Sequence, residues 1–436
     1  MSISGGQVFQ FLMQSQYWPP EKMQAFQQGE LASLLRHARA TVPFYKTRLD
    51  ALFKTDGSID WSQWNKLPIL KRVDVATNYD AMQSSKLPDG HGPTATNSTS
   101  GSTGQPIKVT FTKLIGDIGY AMGWRAQRWW NFDWSAALVH WSGELPHDWK
   151  ARSLIGQGNW GCPDDARAQR GQIYEYDHGA SLIDQLQHLD NVKAKYLVAQ
   201  SNFPHAAALE MLKSGRQAKL DAMILFSASI EPEYYAAMKE AFSAKIRGLY
   251  SSKEAGSIGY TCANGNHYHL CAEAVLVEIL DDDDRPCAPG QTGRVIVTPF
   301  YNTAQPFIRY EQGDMASWGK LCSCGITLPV IEKIDGRIYH LFQRPDGTKF
   351  APQIADHLRG NLSAEFWQFA QISTNEVEVR YKPIGKRGKQ LEVMFSKVMQ
   401  RELGNNFAIS YKIIKNLPLT KSGKFIKYVN ENEDTI

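Results

Sequence analysis

Asn97-Ser98-Thr99-Ser100-Gly101-Ser102-Thr103-Gly104-Gln105-Pro106-Ile107-Lys108 packs five hydroxyl side chains and two glycines into twelve residues. Glycine permits backbone conformations that aim successive N–H groups at one point, and hydroxyls add further donors. A loop of this composition suits a polyphosphate. The Gly-x-x-x-x-Gly-Lys-Ser/Thr spacing of a P-loop is absent. A flexible Ser/Gly linker shares the composition. However, Pro106-Ile107-Lys108-Val109-Thr110-Phe111 reads as a strand directly after the loop, which linkers seldom have.

The rest of the chain gives this loop room to be part of an enzyme. It has 436 residues, enough for two or three domains with a real core. Hydrophobic residues make up 43% and charged residues 21%, which excludes intrinsic disorder as the main state. The net charge of +4 is too mild to argue for nucleic acid or an anionic membrane. No apolar run approaches the roughly 20 residues of a membrane helix, and Met1 to Gly6 lacks the pattern of a signal peptide. The expectation is a cytoplasmic protein that binds no nucleic acid and spans no membrane.

Residues 21–50 read as helix, with Met23, Phe26, Leu31, Leu34, Leu35 and Ala38 at helical spacing and Pro43 ending the run. Residues 113–131 form a second amphipathic stretch, rich in tryptophan; Trp124 to Trp141 reads as core or as a slot for an aromatic or apolar acid. Helices near 200–213 and 232–242 alternate with apolar strands at 222–226 and 246–250, the pattern of a parallel, helix-covered sheet. After Tyr250 the texture becomes hairpin-rich and antiparallel, with strands at 275–280 and 293–297 around a polar turn at Asp281 to Arg285. Beyond Arg337, strands at 366–372, 376–381 and 407–414 and a helix at 389–403 fit a small α+β domain.

The hydroxyl-and-glycine loop resembles the phosphate-binding signature of adenylate-forming (AMP-binding) enzymes, the superfamily of acyl-CoA synthetases, peptide-synthetase adenylation domains and luciferases. Within it, the chain is similar to the branch of phenylacetate–CoA ligases and capsular polysaccharide biosynthesis ligases. Leu34-Leu35-Arg36-His37-Ala38-Arg39-Ala40-Thr41-Val42-Pro43-Phe44-Tyr45 resembles that branch's N-terminal helix. Glu231-Pro232 resembles the end of its Gly-Ala-Glu-Pro turn beside adenine, and Tyr250-Ser251-Ser252-Lys253-Glu254 resembles Tyr-Gly-x-Ser/Thr-Glu. The resemblance implies that Tyr250 stacks on adenine and Glu254 helps bind Mg2+. Lys253 replaces the hydroxyl that touches the α-phosphate, where a cation can also meet phosphate.

Arg309-Tyr310-Glu311-Gln312-Gly313-Asp314 resembles the motif whose aspartate holds both ribose hydroxyls, a fit for a carboxylate that accepts two hydrogen bonds. Gly336-Arg337 resembles the start of the interdomain hinge, with Arg337 near ribose or phosphate; Ile338-Tyr339-His340 replaces the usual acidic hinge residue. Leu417 to Lys424 resembles the Pro-x-Thr-x-Ser-Gly-Lys loop, which implies that Lys424 bridges the acid and the α-phosphate. These motifs recur in the family's order over about 330 residues, from Ser100 to Lys424.

Six cysteines in this length do not make a disulfide scaffold. Cys322-x-Cys324 forms a tight pair, and Cys262 precedes His269 by seven residues. Thiolates and an imidazole suit a closed tetrahedral zinc site. The resemblance implies a structural Zn2+ on Cys262, His269, Cys322 and Cys324, with His267 and Cys271 as possible substitutes; unligated thiols are the other reading.

The resulting expectation is an α/β fold. Residues 1–336 form a large multi-sheet adenylation domain with helix-covered sheets, holding ATP and acid. Residues 337–436 form a small mobile α+β lid carrying Lys424. Ser100, Gly101, Ser102, Thr103, Gly104, Glu231, Tyr250, Asp314 and Arg337 hold nucleotide, and Glu254 and Lys424 serve catalysis. A small-molecule carboxylic acid is activated as its adenylate with release of pyrophosphate, then passed to a thiol, coenzyme A foremost. Transfer to an amine or a carrier-protein thiol, and a non-catalytic nucleotide-binding homologue, are the alternatives.

Overall fold

The computed structural model describes residues 4–98, 107–142, 158–165, 169–177, 181–226, 232–337, 342–347, 349–350, 364–383, 388–403, 407–415 and 428–432. The chain opens with α1 (Gly5–Ser15), which the sequence reading passes over. A reciprocal cap starts it: the Gln7 N–H donates to Ser4 Oγ and the Ser4 N–H to Gln7 Oε1. Helix α2 (Pro20–Thr41) follows and buries Met23, Leu31, Leu34, Leu35 and Ala38. Its pattern ends before Pro43, and Tyr45 begins a separate short turn, α3 (Tyr45–Arg48). A single turn, α4 (Arg72–Thr77), leads to the antiparallel pair β1 (Thr94–Ser98) and β2 (Lys108–Thr112), in register from Thr94 opposite Thr112 to Ser98 opposite Lys108. The hydroxyl-and-glycine segment Thr99–Pro106 joins these two strands and lies outside the described residues.

Helix α5 (Lys113–Trp129) packs on α1, with Phe9 and Trp124 edge to face at 6.3 Å. The parallel strands come next: β3 (Ala137–Ser142), β5 (Gln172–Asp177), β6 (Ala194–Gln200), β7 (Ala222–Phe226) and β8 (Lys245–Ser252), with the short β4 (Gly158–Asn159) antiparallel at the edge. Between them run α6 (Leu182–Asn191), α7 (Asn202–Ser214) and α8 (Pro232–Phe242). Alternate residues of each strand face opposite ways. Val139, Trp141, Leu197 and Met223 pack with Leu186, Met211, Met238 and Phe242 of the helices. Leu138, Tyr196 and Ile224 pack on the other face with Trp130, Phe132 and Trp160. Burial on both faces is what a parallel sheet requires. The tryptophan-rich stretch belongs to this core, which accounts for Trp130, Trp134 and Trp141.

Strand β8 is the joint of the molecule. It pairs parallel with β7 on one side and antiparallel with β9 (Gly256–Thr261) on the other. Through it the parallel strands continue into β10 (Tyr268–Leu270), β11 (Val275–Leu280), β12 (Thr292–Pro299), β13 (Tyr310–Trp318) and β14 (Val330–Arg337). The order is β11-β12-β13-β14-β10-β9-β8-β7-β6-β3-β5-β4, so the two textures of the sequence are one 12-stranded sheet. The acidic run forms the β11–β12 turn, where Asp281 Oδ1 accepts from the Asp283 and Arg285 N–H groups at 2.9 Å, as a solvated hairpin should.

A small antiparallel pair follows, β15 (Phe342–Gln343) with β16 (Lys349–Phe350). Then come β17 (Ala364–Ser373), β18 (Glu376–Pro383), α9 (Gly388–Leu403), β19 (Ala408–Ile413) and β20 (Tyr428–Asn430). These strands make their own sheet in the order β19-β18-β17-β20. Leu391, Phe395, Met399 and Leu403, four apart along α9, seat on Phe369, Val377, Val379 and Tyr381. No helix among the described residues is long and apolar enough to cross a membrane.

Candidate active site

In open α/β sheets, ligands bind beyond the carboxyl ends of the parallel strands. Strand β8 ends there with Tyr250-Ser251-Ser252, and the chain reverses at Lys253-Glu254-Ala255 into β9. Ser252 Oγ closes the reversal by accepting the Ala255 N–H at 3.0 Å. Gly256 leaves it at φ +68°, a conformation most side chains avoid. Glu254 thus sits on a tight hairpin turn and is buried, at 7% exposure, rather than at the start of a solvated helix.

Strand β13 supplies the opposing groups. Tyr310, Gln312 and Asp314 alternate along it and are all buried. Asp314 Oδ2 accepts a hydrogen bond from Tyr250 Oη at 2.9 Å, and Glu254 Oε1 accepts one from Tyr310 Oη at 3.2 Å. Burial and the neighbouring Glu254 carboxylate push the Tyr310 phenol well above its ordinary range, so it remains a donor. Arg72 Nη1 stands 3.5 Å from the same Glu254 oxygen. Its helix is held in place by a β-bridge of Leu70 with Tyr310: the Leu70 N–H donates to the Arg309 carbonyl and the Glu311 N–H to the Leu70 carbonyl, both at 2.9 Å. Arg309, fully buried, ties that segment down through the carbonyls of Trp64, Asn65 and Leu67, while Glu278 takes its other two nitrogens at 3.1 and 3.2 Å.

Lys253 has a partner of its own. Its Nζ donates to the main-chain carbonyl of Ser98 at 2.8 Å. This contact places the root of the hydroxyl-and-glycine segment at the β8–β9 turn, beside Tyr250 and Glu254. Arg337 is opposite Asp314 in the β13–β14 register. Tyr250, Glu254, Asp314 and the backbone of Arg337 are therefore brought together. Ser100, Gly101, Ser102, Thr103, Gly104, Glu231 and Lys424 lie outside the described residues. Sequence reasoning missed two groups, Tyr310 and Arg72. Period-two spacing from Asp314 could have found Tyr310; no local signal marks Arg72, which is 182 residues from Glu254.

A second cluster forms where the β9–β10 hairpin meets the β13–β14 connection. Cys262, His269, Cys322 and Cys324 present ligand atoms that all lie within 4.8 Å of one another. Cys262 Sγ is 3.7 Å from Cys322 Sγ, and Cys324 Sγ is 3.3 Å from His269 Nε2. The sulfurs are far outside the roughly 2.05 Å of a disulfide bond. Backbone N–H groups of Asn264 and Cys324 donate to Cys262 Sγ and Cys322 Sγ, each at 3.4 Å. Burial and the nearby His267 pull His269 down to about 4, and burial pushes the Cys324 thiol up to about 12. His267 and Cys271 are not part of this group.

No protein-family model and no curated protein matches the chain by sequence. Solved structures do match by fold. A structure of 2-hydroxyisobutyryl-CoA ligase in the postadenylation state, in complex with R3-HIB-AMP, overlays with a TM-score of 0.73 over 96% of this chain and 93% of that one, at 17% identity. This chain has the adenylate-forming ligase fold. Overlay on the same ligase with 2-HIB-AMP and CoA in the thioesterification state gives a TM-score of 0.59 at 18% identity, over 95% and 91% of the two chains. The amide bond synthetase McbA from Marinactinospora thermotolerans gives 0.53 at 14% identity, over 79% of this chain and 71% of that one. Within the adenylate-forming fold, the chain thus overlays better on the postadenylation arrangement of the first relative than on its thioesterification arrangement.

Proposed function

We propose that this protein activates a carboxylic acid with ATP and passes the acyl group to a thiol, coenzyme A. The observation that carries the proposal is the Lys253–Ser98 contact. It joins the root of a polyphosphate-type loop to a turn bearing Tyr250 and Glu254, opposite Asp314. Residues Ser100, Gly101, Ser102, Thr103 and Gly104 cradle the phosphates, Tyr250 and Glu231 border the adenine, and Asp314 takes the ribose hydroxyls with Arg337 beside it. Tyr250 donates to Asp314 Oδ2 at 2.9 Å, which fixes the carboxylate opposite the β8–β9 turn.

A carboxylate oxygen of the acid attacks the α-phosphorus of ATP, and pyrophosphate leaves with the electron pair of the broken P–O bond. The thiolate sulfur of coenzyme A then attacks the acyl carbon, and AMP leaves. Protein groups position these reactants and neutralise charge, with no covalent nucleophile. Lys424, delivered by the small C-terminal domain of residues 337–436, meets the charge that develops between acid and α-phosphate. Rotation of that domain between the two steps is a gating motion.

Glu254 suits a magnesium ion bound mainly by phosphates. Its Oε1 is taken by Tyr310 and Arg72, and Oε2 has no hydrogen bond among the described residues. Bound there, the ion would screen the phosphate charge. The sulfur cluster suits zinc. Zn–S bonds of roughly 2.3 Å imply a tetrahedral edge of about 3.8 Å, and the Cys262–Cys322 separation is 3.7 Å. A neutral His269 and the Cys262 and Cys324 thiols, which burial pushes up, are a donor set that a dication would stabilise. Its role is to fasten the β9–β10 hairpin to the β13–β14 connection.

Acid-dependent exchange of labelled pyrophosphate into ATP, over aromatic, fatty and amino acids, tests the proposal. Exchange with one class supports adenylation, and no exchange with any acid rejects it. Product analysis with coenzyme A, carrier protein and amines then tests the acceptor. Lys424→Ala should cut exchange far more than ATP binding; equal loss of both would remove Lys424 from its assigned role.

A further inference from the structure

At the amino end of β8, away from Tyr250, lies a cavity of about 480 Å³, within the roughly 300–1,000 Å³ typical of small-ligand pockets. Tyr235 and Lys239 of α8, Ser243 of the following turn, Lys245 and Arg247 of β8 and Asn264 of the β9–β10 hairpin line it. Three of its lining residues are cations and none is an acid. Among the described residues, Lys239, Lys245 and Arg247 form no ion pair, although ion pairs occupy many other surface cations of this chain.

Arg247 is the informative member. Its Nη1 donates to the carbonyls of Cys262 and Ala263 at 3.3 and 3.1 Å, which fixes the guanidinium against the hairpin. Its Nε is buried and makes no hydrogen bond. A fixed, partly desolvated cation without a counter-charge is a costly arrangement that an anion relieves. The carboxyl end of α8 accounts for a cation at Lys239, since helix C-termini favour them. It does not account for Lys245 or Arg247. Ser243, at φ +48°, adds a hydroxyl at the rim.

We infer that this cavity binds a phosphate group, with Arg247 as the fixed donor and Lys239 and Lys245 closing on the remaining oxygens. The site is separate from the nucleotide site proposed above and does not rest on that function.

The test is calorimetric titration of the intact protein with inorganic phosphate and, in a second arm, ribose 5-phosphate, which distinguishes the free ion from an organic phosphate monoester. Lys239→Glu/Lys245→Glu should weaken binding by about tenfold or more, since each charged hydrogen bond contributes roughly 1.5–3 kcal/mol. Its melting temperature and KM for ATP should not change. If that variant does not fold, Lys239→Gln/Lys245→Gln reads the same loss without charge reversal. Absence of binding by both probes up to about 20 mM would overturn the inference. So would binding that both variants leave intact, because the phosphate would then sit in the nucleotide site. Failure of pyrophosphate exchange leaves this result unaffected.

Discussion

Lys253 Nζ donates to the backbone carbonyl of Ser98, across 155 residues of sequence, and so ties the end of β1 to the turn that carries Glu254. The bond is exposed and worth on the order of 1 kcal/mol. Lys253→Met should therefore leave the melting temperature nearly unchanged, and raise the KM for ATP several-fold by loosening the loop root. Pyrophosphate exchange at varied ATP measures this. An unchanged KM would mean that the tether does not position the loop.

Tyr310→Phe keeps the buried ring and deletes the hydrogen bond to Glu254. A hydrogen bond to a charged group contributes roughly 1.5–3 kcal/mol, so exchange activity should fall about tenfold or more. Glu254→Gln should cost more, because it also removes the charge assigned to the metal. If Glu254→Gln has the smaller effect, the role given to Glu254 is wrong.

Metal analysis of the purified protein should find one equivalent of zinc. Cys322→Ser/Cys324→Ser should abolish it and lower the melting temperature by at least about 4 °C, since metal binding adds to folding free energy. Fully folded protein without metal would reduce the cluster to buried thiols.

Arg125 and Glu273 form a fully buried ion pair at 2.6 Å, with Ser15 donating to the same carboxylate oxygen at 2.6 Å, and so link α1, α5 and the segment after β10. Arg125→Met should destabilise by about 3–5 kcal/mol in urea unfolding, because it strands a buried charge. Arg125→Met/Glu273→Met should recover much of that loss.

His188 is buried, stacks on Tyr176 at 4.3 Å and is pulled down to about 4 by burial. An unfolded histidine titrates near 6.5. Between these values the unfolded chain binds more protons, so stability should fall as pH drops from about 6.5 towards 4. The contribution is fully present above 6.5. Unfolding of His188→Phe across this window should show a shallower slope; an identical slope would exclude His188 as a cause.

Much of this was legible along the chain because its signals are local. Helical spacing marked α2, α5 and α9, and strand–helix alternation marked the parallel sheet. The motif around Tyr250 and Glu254 was readable only through its resemblance, and its place on the β8–β9 turn came from the fold; Cys322, Cys324, Cys262 and His269 were singled out together as candidate ligands, and the fold gathers them within 4.8 Å. Local pattern did not reveal α1, whose amphipathic face gains meaning only against α5. It did not reveal that β8 carries both textures into one sheet, since strand pairing is a property of two segments.

Residue types and their order determined which chemistry the chain could carry: hydroxyls and glycines for phosphate, a carboxylate for a diol, thiols and imidazole for zinc. Tertiary structure alone decided which groups meet. Arg72 reaches Glu254 because the Leu70–Tyr310 bridge sets its helix, and Lys253 reaches Ser98 because β8 and β1 end at the same place. Such contacts depend on distances through space, and neither composition nor periodicity along the chain contains them.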